Sequence, residues 1–431
     1  LTRDGHILAG LKRSTEGGNV KALIVGGGIG GLVTALEFER AGIEAHVFES
    51  VRALKPLGVG INVQPHSVRC LDELGVMHAM LDLGVATTGQ AFFNNRGQHI
   101  WTEPRGLAAG AKWPQISIHR GEMQLALMEI ARERLGADHV HMGQHLVDFE
   151  APTNEGVVAR FVDRATGEKL PEVRGDILVG ADGIHSRVRE TFYPDEGPAK
   201  WNGALIYRAA TETPPFLGGL SQFMVGGRQT VIGYPMSKRH ADRGSSLTNW
   251  AARFFVDPSR GFPREDWNRR GALEDLFPRY AEWTFAWMNF PDLFRGAEAV
   301  FEFPMVDRDP LPRWTHGRAT LLGDAAHPMY PLGSNGASQA ILDARELTLR
   351  LKATSDIDAA LRAYDEDRRP KTAEIVRQNR AGGPERIVTM VEQRAPNGFD
   401  DIEDVMPRDE IVGIMNAYKQ ITNSDLARAT P

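Results

Sequence analysis

Apolar positions in this chain come in short bunches separated by glycine-rich turns. Residues 21–25 (Lys-Ala-Leu-Ile-Val) form a compact apolar run that reads as a strand buried on both faces. A glycine-rich turn follows, Gly26-Gly27-Gly28-Ile29-Gly30-Gly31. Leu32, Ala35, Leu36 and Glu39 then return at three- and four-residue spacing, which predicts a helix over 32–40 ended by Ala41-Gly42. Residues 45–49 (Ala-His-Val-Phe-Glu) predict the next strand. Further on, the pattern predicts a helix over 67–74, a hairpin of strands 89–95 and 99–101 turning at Arg96-Gly97, an amphipathic helix over 120–135, and a buried strand at 176–180.

The character changes between 201 and 288, where strand patterns alternate with Pro and Gly turns and Trp201, Trp250, Trp267, Trp283 and Trp287 collect. This stretch predicts an antiparallel sheet covered by helices on one face, with most of its aromatic side chains as core. A buried strand returns at 318–322, followed by helices over 336–352 and 357–380, the second broken at Pro370. The tail after Pro384 is charged and weakly helical. The predicted class is α/β (α+β), a Rossmann-like domain with an interleaved antiparallel-sheet domain and C-terminal helices. Residues 21–85, 118–198 and 299–380 are assigned to the nucleotide-binding part. Residues 86–117 and 199–298 go to the substrate part, 381–431 to a helical tail, and 1–20 to a disordered leader.

Composition adds exclusions. A chain of 431 residues with 42% hydrophobic positions suits two closely built domains. A net charge of −6 argues against a nucleic-acid binder. The single cysteine, Cys70, permits no internal disulfide, and its neighbours Val68, Leu71 and Leu74 make it an inert core thiol. No apolar run approaches the ~18 residues of a membrane span, and the first 20 residues lack the apolar stretch of a secretory signal. These features predict a cytoplasmic protein, monomer or homodimer, with no metal site.

Three glycine–acid motifs carry the candidate chemistry. In the turn after the first strand, Gly26, Gly28 and Gly31 satisfy GxGxxG. The first makes a tight turn, the second admits a pyrophosphate to the backbone, and the third lets helix and strand pack. The N-terminus of the following helix offers free N–H groups to phosphate, and Ile29 and Gly30 of the turn are counted among the cofactor-binding residues. Glu49, at the end of the second strand, stands where an acid holds ribose hydroxyls. The second motif is Gly180-Ala-Asp182-Gly183-Ile-His-Ser186-Arg187-Val-Arg189, which taken alone reads as a turn and cap, with Ser186 and Arg189 on a helix surface. In the third, Gly323-Asp324-Ala-Ala-His327-Pro328, followed by a helix from Gly336 and Ala337, Asp324 can accept from a ribityl hydroxyl and the helix start can face a flavin carbonyl. His327 reads as a buried histidine bonded to backbone.

Together and in this order the motifs resemble the class A flavoprotein monooxygenases, the para-hydroxybenzoate hydroxylase family, from Lys21 to about Arg380. The resemblance implies FAD held by Gly26, Gly28, Gly31 and Glu49, by Asp182 and Gly183, and by Gly323 and Asp324. Arg120, in Ile118-His-Arg-Gly-Glu122, matches the family arginine that opens a helix against FAD, and Gly58, Val59 and Gly60 fall close to the flavin ring. The runs 56–65, 101–106, 234–240 and 304–312 are similar to the phenazine branch of that family. Ser334 and Ser338 stand where many members carry glycine and asparagine or glycine.

The resemblance further implies NADH or NADPH as a transient co-substrate, molecular oxygen, and hydroxylation of a small aromatic or heteroaromatic ring. A substrate carboxylate would want a cation, for which Arg208, Arg228 and Arg239 are candidates. His240 and Tyr234 are candidate bases for a ring hydroxyl. The alternatives are another flavoenzyme of this fold, such as a halogenase or reductase, or a non-catalytic flavin binder; the halogenase pattern Trp-x-Trp-x-Ile-Pro is absent.

Overall fold

A computed structural model describes residues 20–55, 59–257 and 269–422. The predicted leader, apart from Val20, and Gly58 lie outside these residues. The nucleotide-binding half is a five-stranded parallel sheet in the order Ala319–Leu321, Ile177–Gly180, Lys21–Val25, Glu44–Glu49, Val140–Met142. Its strands read as continuous apolar runs because both faces are covered: Ala22, Leu23, Ile24, Leu178 and Val179 are fully buried. The helices Ile29–Arg40 and Gly336–Ala353 supply much of that cover through Leu32, Val33, Leu36, Ile341 and Leu347.

The first helix starts at Ile29, three residues before its apolar spacing suggested. Gly30 and Gly31 form its first turn, since a Cβ on Gly31 would lie 2.0 Å from the Gly26 carbonyl oxygen. Only glycine lets the helix begin so close to the strand.

A seven-stranded sheet forms the second half, in the order Phe301–Asp307, Lys200–Thr213, Ser246–Phe255, Thr230–Pro235, Ser221–Val225, Gly89–Phe93, His99–Pro104. It departs from the expectation twice. Ser221–Val225 and Gly89–Phe93 run parallel within an otherwise antiparallel sheet. Phe301–Asp307, assigned by sequence to the nucleotide-binding segments, pairs with Lys200–Thr213. A strand of mixed polarity gives no sign of which sheet it joins. The sheet alternates cleanly. Tyr207, Phe223, Val231, Trp250 and Phe254 face an aromatic core completed by Tyr280, Trp283, Phe290 and Phe294. Trp250 and Trp283 thus serve as core, Trp267 lies outside the described residues, and the opposite face is left for other work.

One further expectation fails, and the helical tail is more regular than its pattern predicts. The helix Ile357–Arg380 runs unbroken through Pro370. One lost N–H bond is outweighed by packing on both sides of the proline, where Leu361, Tyr364, Arg368, Thr372 and Val376 are buried. The tail is well structured up to residue 422. Helices Arg386–Arg394 and Arg408–Ile421 bury Ile387, Val388, Val391, Ile411 and Met415 against Phe92, Ile100 and Met224. Their charge hid an apolar stripe. Among the described residues no helix is long and apolar enough to cross a membrane. Cys70 is fully buried, and burial pushes its thiol up to about 11, as an inert core thiol requires.

His66, in the helix Pro65–Glu73, is half-buried as a residue, and both its ring nitrogens are buried without a partner. Burial first, then Arg368 and Arg69, pushes its pKa down to about 3. The unfolded chain therefore takes up a proton below about 6.5 that the folded one refuses. His66 stabilises fully above that pH, and its contribution is lost as pH falls toward 3. His66→Leu is expected to remove ~2 kcal/mol of the stability lost between pH 7 and pH 5. Chemical denaturation at the two pH values checks this, and an unchanged pH dependence contradicts it.

Candidate flavin and substrate cavity

A cavity of about 340 Å³ lies where the C-terminal ends of the parallel strands meet the open face of the seven-stranded sheet. One wall is the glycine turn. Gly26, at φ +109°, has its N–H bonded to the Phe48 carbonyl at 2.8 Å, and a Cβ there would strike the Ala181 oxygen at 2.4 Å. Gly26 and Gly31 are thus required by packing and stay behind the cavity surface. Gly28 differs: a Cβ on it would meet nothing within 4 Å, and it lines the cavity with Ile29 and Gly30. That open side, beside the N-terminus of a twelve-residue helix, could hold a pyrophosphate. Glu49 stands beside the turn and accepts from the Gly27 and Val51 N–H groups, each at 2.8 Å. Gln124, which no motif pointed to, clamps the Gly27 carbonyl at 2.8 Å.

The second and third motifs are tied together by an arginine that sequence reading left on the surface. Asp182 does act as a cap: its carboxylate accepts from the Ser186 hydroxyl at 2.5 Å and the Arg187 N–H at 2.7 Å. Burial raises its pKa, against the lowering effect of those bonds. Gly183 lines the cavity. Arg189 is 2% exposed, not a surface residue. It pairs with Glu196 at 2.5 Å and donates to the carbonyls of Ala325 and Ala326 at 3.1 and 3.0 Å, inside the third motif. A charge in a short helical pattern looks exposed until its carbonyl partners are known.

In the third motif Gly323, Asp324, Gly336 and Ala337 all line the cavity, and a Cβ on Gly336 would sit 3.9 Å from Asp324 Oδ1. His327 is buried, as expected, but its partner is a carboxylate and not backbone. His327 Nε2 lies 2.6 Å from Asp343 Oδ2. Arg368 donates to the other oxygen at 2.7 Å, and Gly323 N–H donates to Oδ2 at 3.1 Å. Burial alone would raise Asp343, but His327 and Arg368 hold its carboxyl down at about 2. Ser334 has φ +55°. Its hydroxyl accepts from Asn62 at 3.1 Å, offsetting part of that strain.

Near the expected flavin ring, Val59 is buried behind the surface and its carbonyl receives the Arg120 N–H at 3.1 Å. Gly60 lines the cavity, and a Cβ there would fall 2.6 Å from the Tyr234 ring. Its N–H bonds Asn249 Oδ1 at 2.8 Å and its carbonyl receives Arg208 Nη2 at 2.9 Å. Arg120, Arg208 and Tyr234 face the cavity.

His240 does not line the cavity. It sits in the short helix Lys238–Ala241, buried, with Nδ1 2.9 Å from the Ser237 hydroxyl. The chain leaves the sheet after Pro235, so a residue six positions beyond Tyr234 no longer shares its face. Arg228 lies over the Phe255 ring at 5.7 Å, and neither it nor Arg239 lines the cavity. Tyr234 is pushed up to about 12 by burial, with Arg208 pulling the other way, so its phenol is a neutral hydrogen-bonding group at pH 7 and not a base. Sequence reading missed Gln90, Gln222, Asn249 and Arg253, which reach the cavity by strand alternation, and Glu385, which comes from the tail.

Comparison with known proteins fits this geometry. The model of the FAD binding domain family matches residues 19–223 and 301–379. Phenazine 1,6-dicarboxylic acid hydroxylase of Lysobacter antibioticus is 46% identical over 362 residues, 83% of this chain and 88% of that protein. A 3-amino-4-hydroxybenzoate 2-monooxygenase of Streptomyces platensis is 32% identical over 373 residues, 84% of this chain and 87% of its own length. Among solved structures, Klebsiella pneumoniae HpxO complexed with FAD and uric acid superposes with a TM-score of 0.74 at 23% identity, over 94% of this chain and 97% of that one. A salicylate hydroxylase substrate complex gives 0.72 at 22% identity, over 95% and 97%.

Proposed function

The chain belongs to the FAD binding domain family of flavoprotein aromatic monooxygenases, and from that premise we propose that it hydroxylates a fused heteroaromatic carboxylate of the phenazine type. NADH or NADPH and molecular oxygen are the co-substrates in this reading, and the protein works in the cytoplasm as a monomer or homodimer. The observation that carries it is one cavity joining the open side of Gly28 to the sheet face bearing Arg208 and Tyr234.

When bound, FAD supplies the redox and oxygen chemistry. Gly28, Gly183, Asp324 and the N-terminus of the helix Gly336–Ala353 hold it. The protein's remaining tasks are to orient the ring and keep water away. Ile206, Ile232, Ala251, Met305 and Leu332 give the cavity apolar walls for a planar ring. Arg208 supplies the cation: Nη2 is fixed by the Gly60 carbonyl, while Nε is buried and unpartnered, free to meet a carboxylate. The Tyr234 phenol offers a hydrogen bond alongside.

The test is a panel of phenazine, pyridine, quinoline and benzoate carboxylates, read by NADH oxidation and product mass. Hydroxylated product from a phenazine carboxylate supports the reading. Protein that cannot be reconstituted with FAD, or peroxide without hydroxylated product across the panel, overturns it. Arg208→Met keeps bulk and removes charge. It is expected to lower kcat/KM for phenazine-1-carboxylate by about 100-fold or more while barely changing unsubstituted phenazine. An equal loss on both compounds contradicts the role.

A further inference from the structure

Glu385 and Arg253 meet at the cavity in a way neither the motifs nor the flavin explains. Arg253 lies on the strand Ser246–Phe255, four residues beyond Asn249 and so roughly 13 Å along the sheet from the Gly60 end. It shares the cavity face with Arg208 and lies diagonally across the strand pair from it, because Arg208 is opposite Ala251 and Ile206 is opposite Arg253. Its Nη2 is used, donating to the Gly227 carbonyl and the Thr230 hydroxyl at 2.9 Å each. Its Nε is buried without a partner. Glu385 lies just past the tight turn at Gly382-Gly383 that ends the long helix Ile357–Arg380. Its side chain is 6% exposed. Oε1 accepts from the Gly333 N–H at 3.2 Å, and Oε2 is buried, unpartnered, and 4.0 Å from Arg253 Nη1. That distance is too long for a hydrogen bond. The cavity therefore holds a guanidinium and a carboxylate at ion-pair distance, in which one donor, Arg253 Nε, and one acceptor, Glu385 Oε2, make no hydrogen bond.

Leaving two such groups unsatisfied costs free energy that a ligand can recover. A hydroxyl suits the pair, since it accepts from the guanidinium and donates to the carboxylate. A carboxylate gains from Arg253 but meets the negative charge of Glu385 a few ångströms away in a desolvated site. We propose that Glu385 and Arg253 form a second substrate subsite in which Glu385 acts as a charge filter, admitting a neutral donor–acceptor substituent such as a hydroxyl and disfavouring a second carboxylate. The proposal rests on the substrate reading above, with Arg208 taking the first carboxylate. It makes Glu385 a specificity-determining residue contributed by a segment outside both sheets.

The probes are phenazine-1-carboxylate and phenazine-1,6-dicarboxylate, titrated against the FAD-loaded full chain by perturbation of the flavin spectrum. Wild type is expected to bind the monocarboxylate more tightly. Glu385→Gln keeps shape and removes charge, and it is expected to shift the ratio of the two dissociation constants about tenfold or more toward the dicarboxylate. Arg253→Gln is expected to shift the ratio the opposite way, so a general loosening of the cavity is distinguishable from a charge effect. The FAD content of each variant shows that it is folded. A ratio unchanged in Glu385→Gln, or wild type preferring the dicarboxylate, overturns the filter while leaving the monooxygenase reading intact. Failure of both acids to perturb the flavin of wild type overturns the phenazine reading and the subsite with it.

Discussion

Gly28→Val is expected to yield a folded, colourless protein. The substitution separates the glycine turn's two jobs. Gly26 and Gly31 are needed by the fold itself, because added Cβ atoms there would lie 2.4 and 2.0 Å from backbone oxygens. Gly28 is not: its backbone is extended at φ −74°, ψ 178°, and its Cβ direction is open on the protein side. Valine tolerates that backbone, and the loss of stability without flavin is expected to stay near ~1 kcal/mol, the scale of an N-cap change. The same methyl groups would occupy the approach to the helix N-terminus, where two phosphates must contact backbone N–H. FAD affinity is expected to fall at least ~100-fold, about 3 kcal/mol. Flavin fluorescence quenching on titration, with a melting curve of the apo-protein, checks both halves. Normal FAD binding in Gly28→Val would sink the assignment of the cavity's phosphate end.

Asp343→Ala is expected to be the most destabilising single change in the nucleotide-binding half. Asp343 is fully buried and satisfies three groups at once: His327, Arg368 and the Gly323 N–H. Removing it leaves a guanidinium that is 4% exposed with only Gln339 as partner. Breaking a buried pair in this way costs ~3–5 kcal/mol. Because Gly323 is positioned by the same carboxylate, FAD binding should weaken in parallel. Urea denaturation of the apo-protein measures the loss, and a change below ~1 kcal/mol would contradict the network's role. The pH behaviour distinguishes this residue from His66. A carboxyl held at about 2 contributes stability that is complete above its unfolded pKa near 4 and is lost only as pH falls through 2. Between pH 7 and pH 5, therefore, His66 contributes to acid destabilisation and Asp343 does not.

Much of this molecule was legible before any coordinates. The buried strands at 21–25, 177–180 and 319–321 announce themselves as apolar runs, since a strand covered on both faces has no polar alternation to blur it. The glycine turn is readable for a related reason: only glycine can occupy a point where two backbones nearly touch, so sterics write the residue type into the chain. Local rules failed where a side chain's fate depended on distant partners. Arg189 looks like helix surface until Ala325 and Ala326 are brought to it, 136 and 137 residues later. Pro370 looks like a break until packing on both sides of it is seen. The tail looks weakly helical because its apolar stripe is sparse and pays off only against Phe92 and Met224.

The sequence by itself determined the nucleotide-binding half, the three motifs and the flavin family, because each rests on short-range sterics and hydrogen bonding. The tertiary structure alone decided the substrate end. Strand register turns Arg208, Tyr234, Asn249 and Arg253 to one face and Tyr207, Trp250 and Phe254 to the other. The bend at Gly382-Gly383 then carries Glu385 to within 4.0 Å of Arg253, a partner 132 positions earlier in the chain. Contacts of that range follow from how two sheets and a tail pack together, and no local pattern along the chain records them.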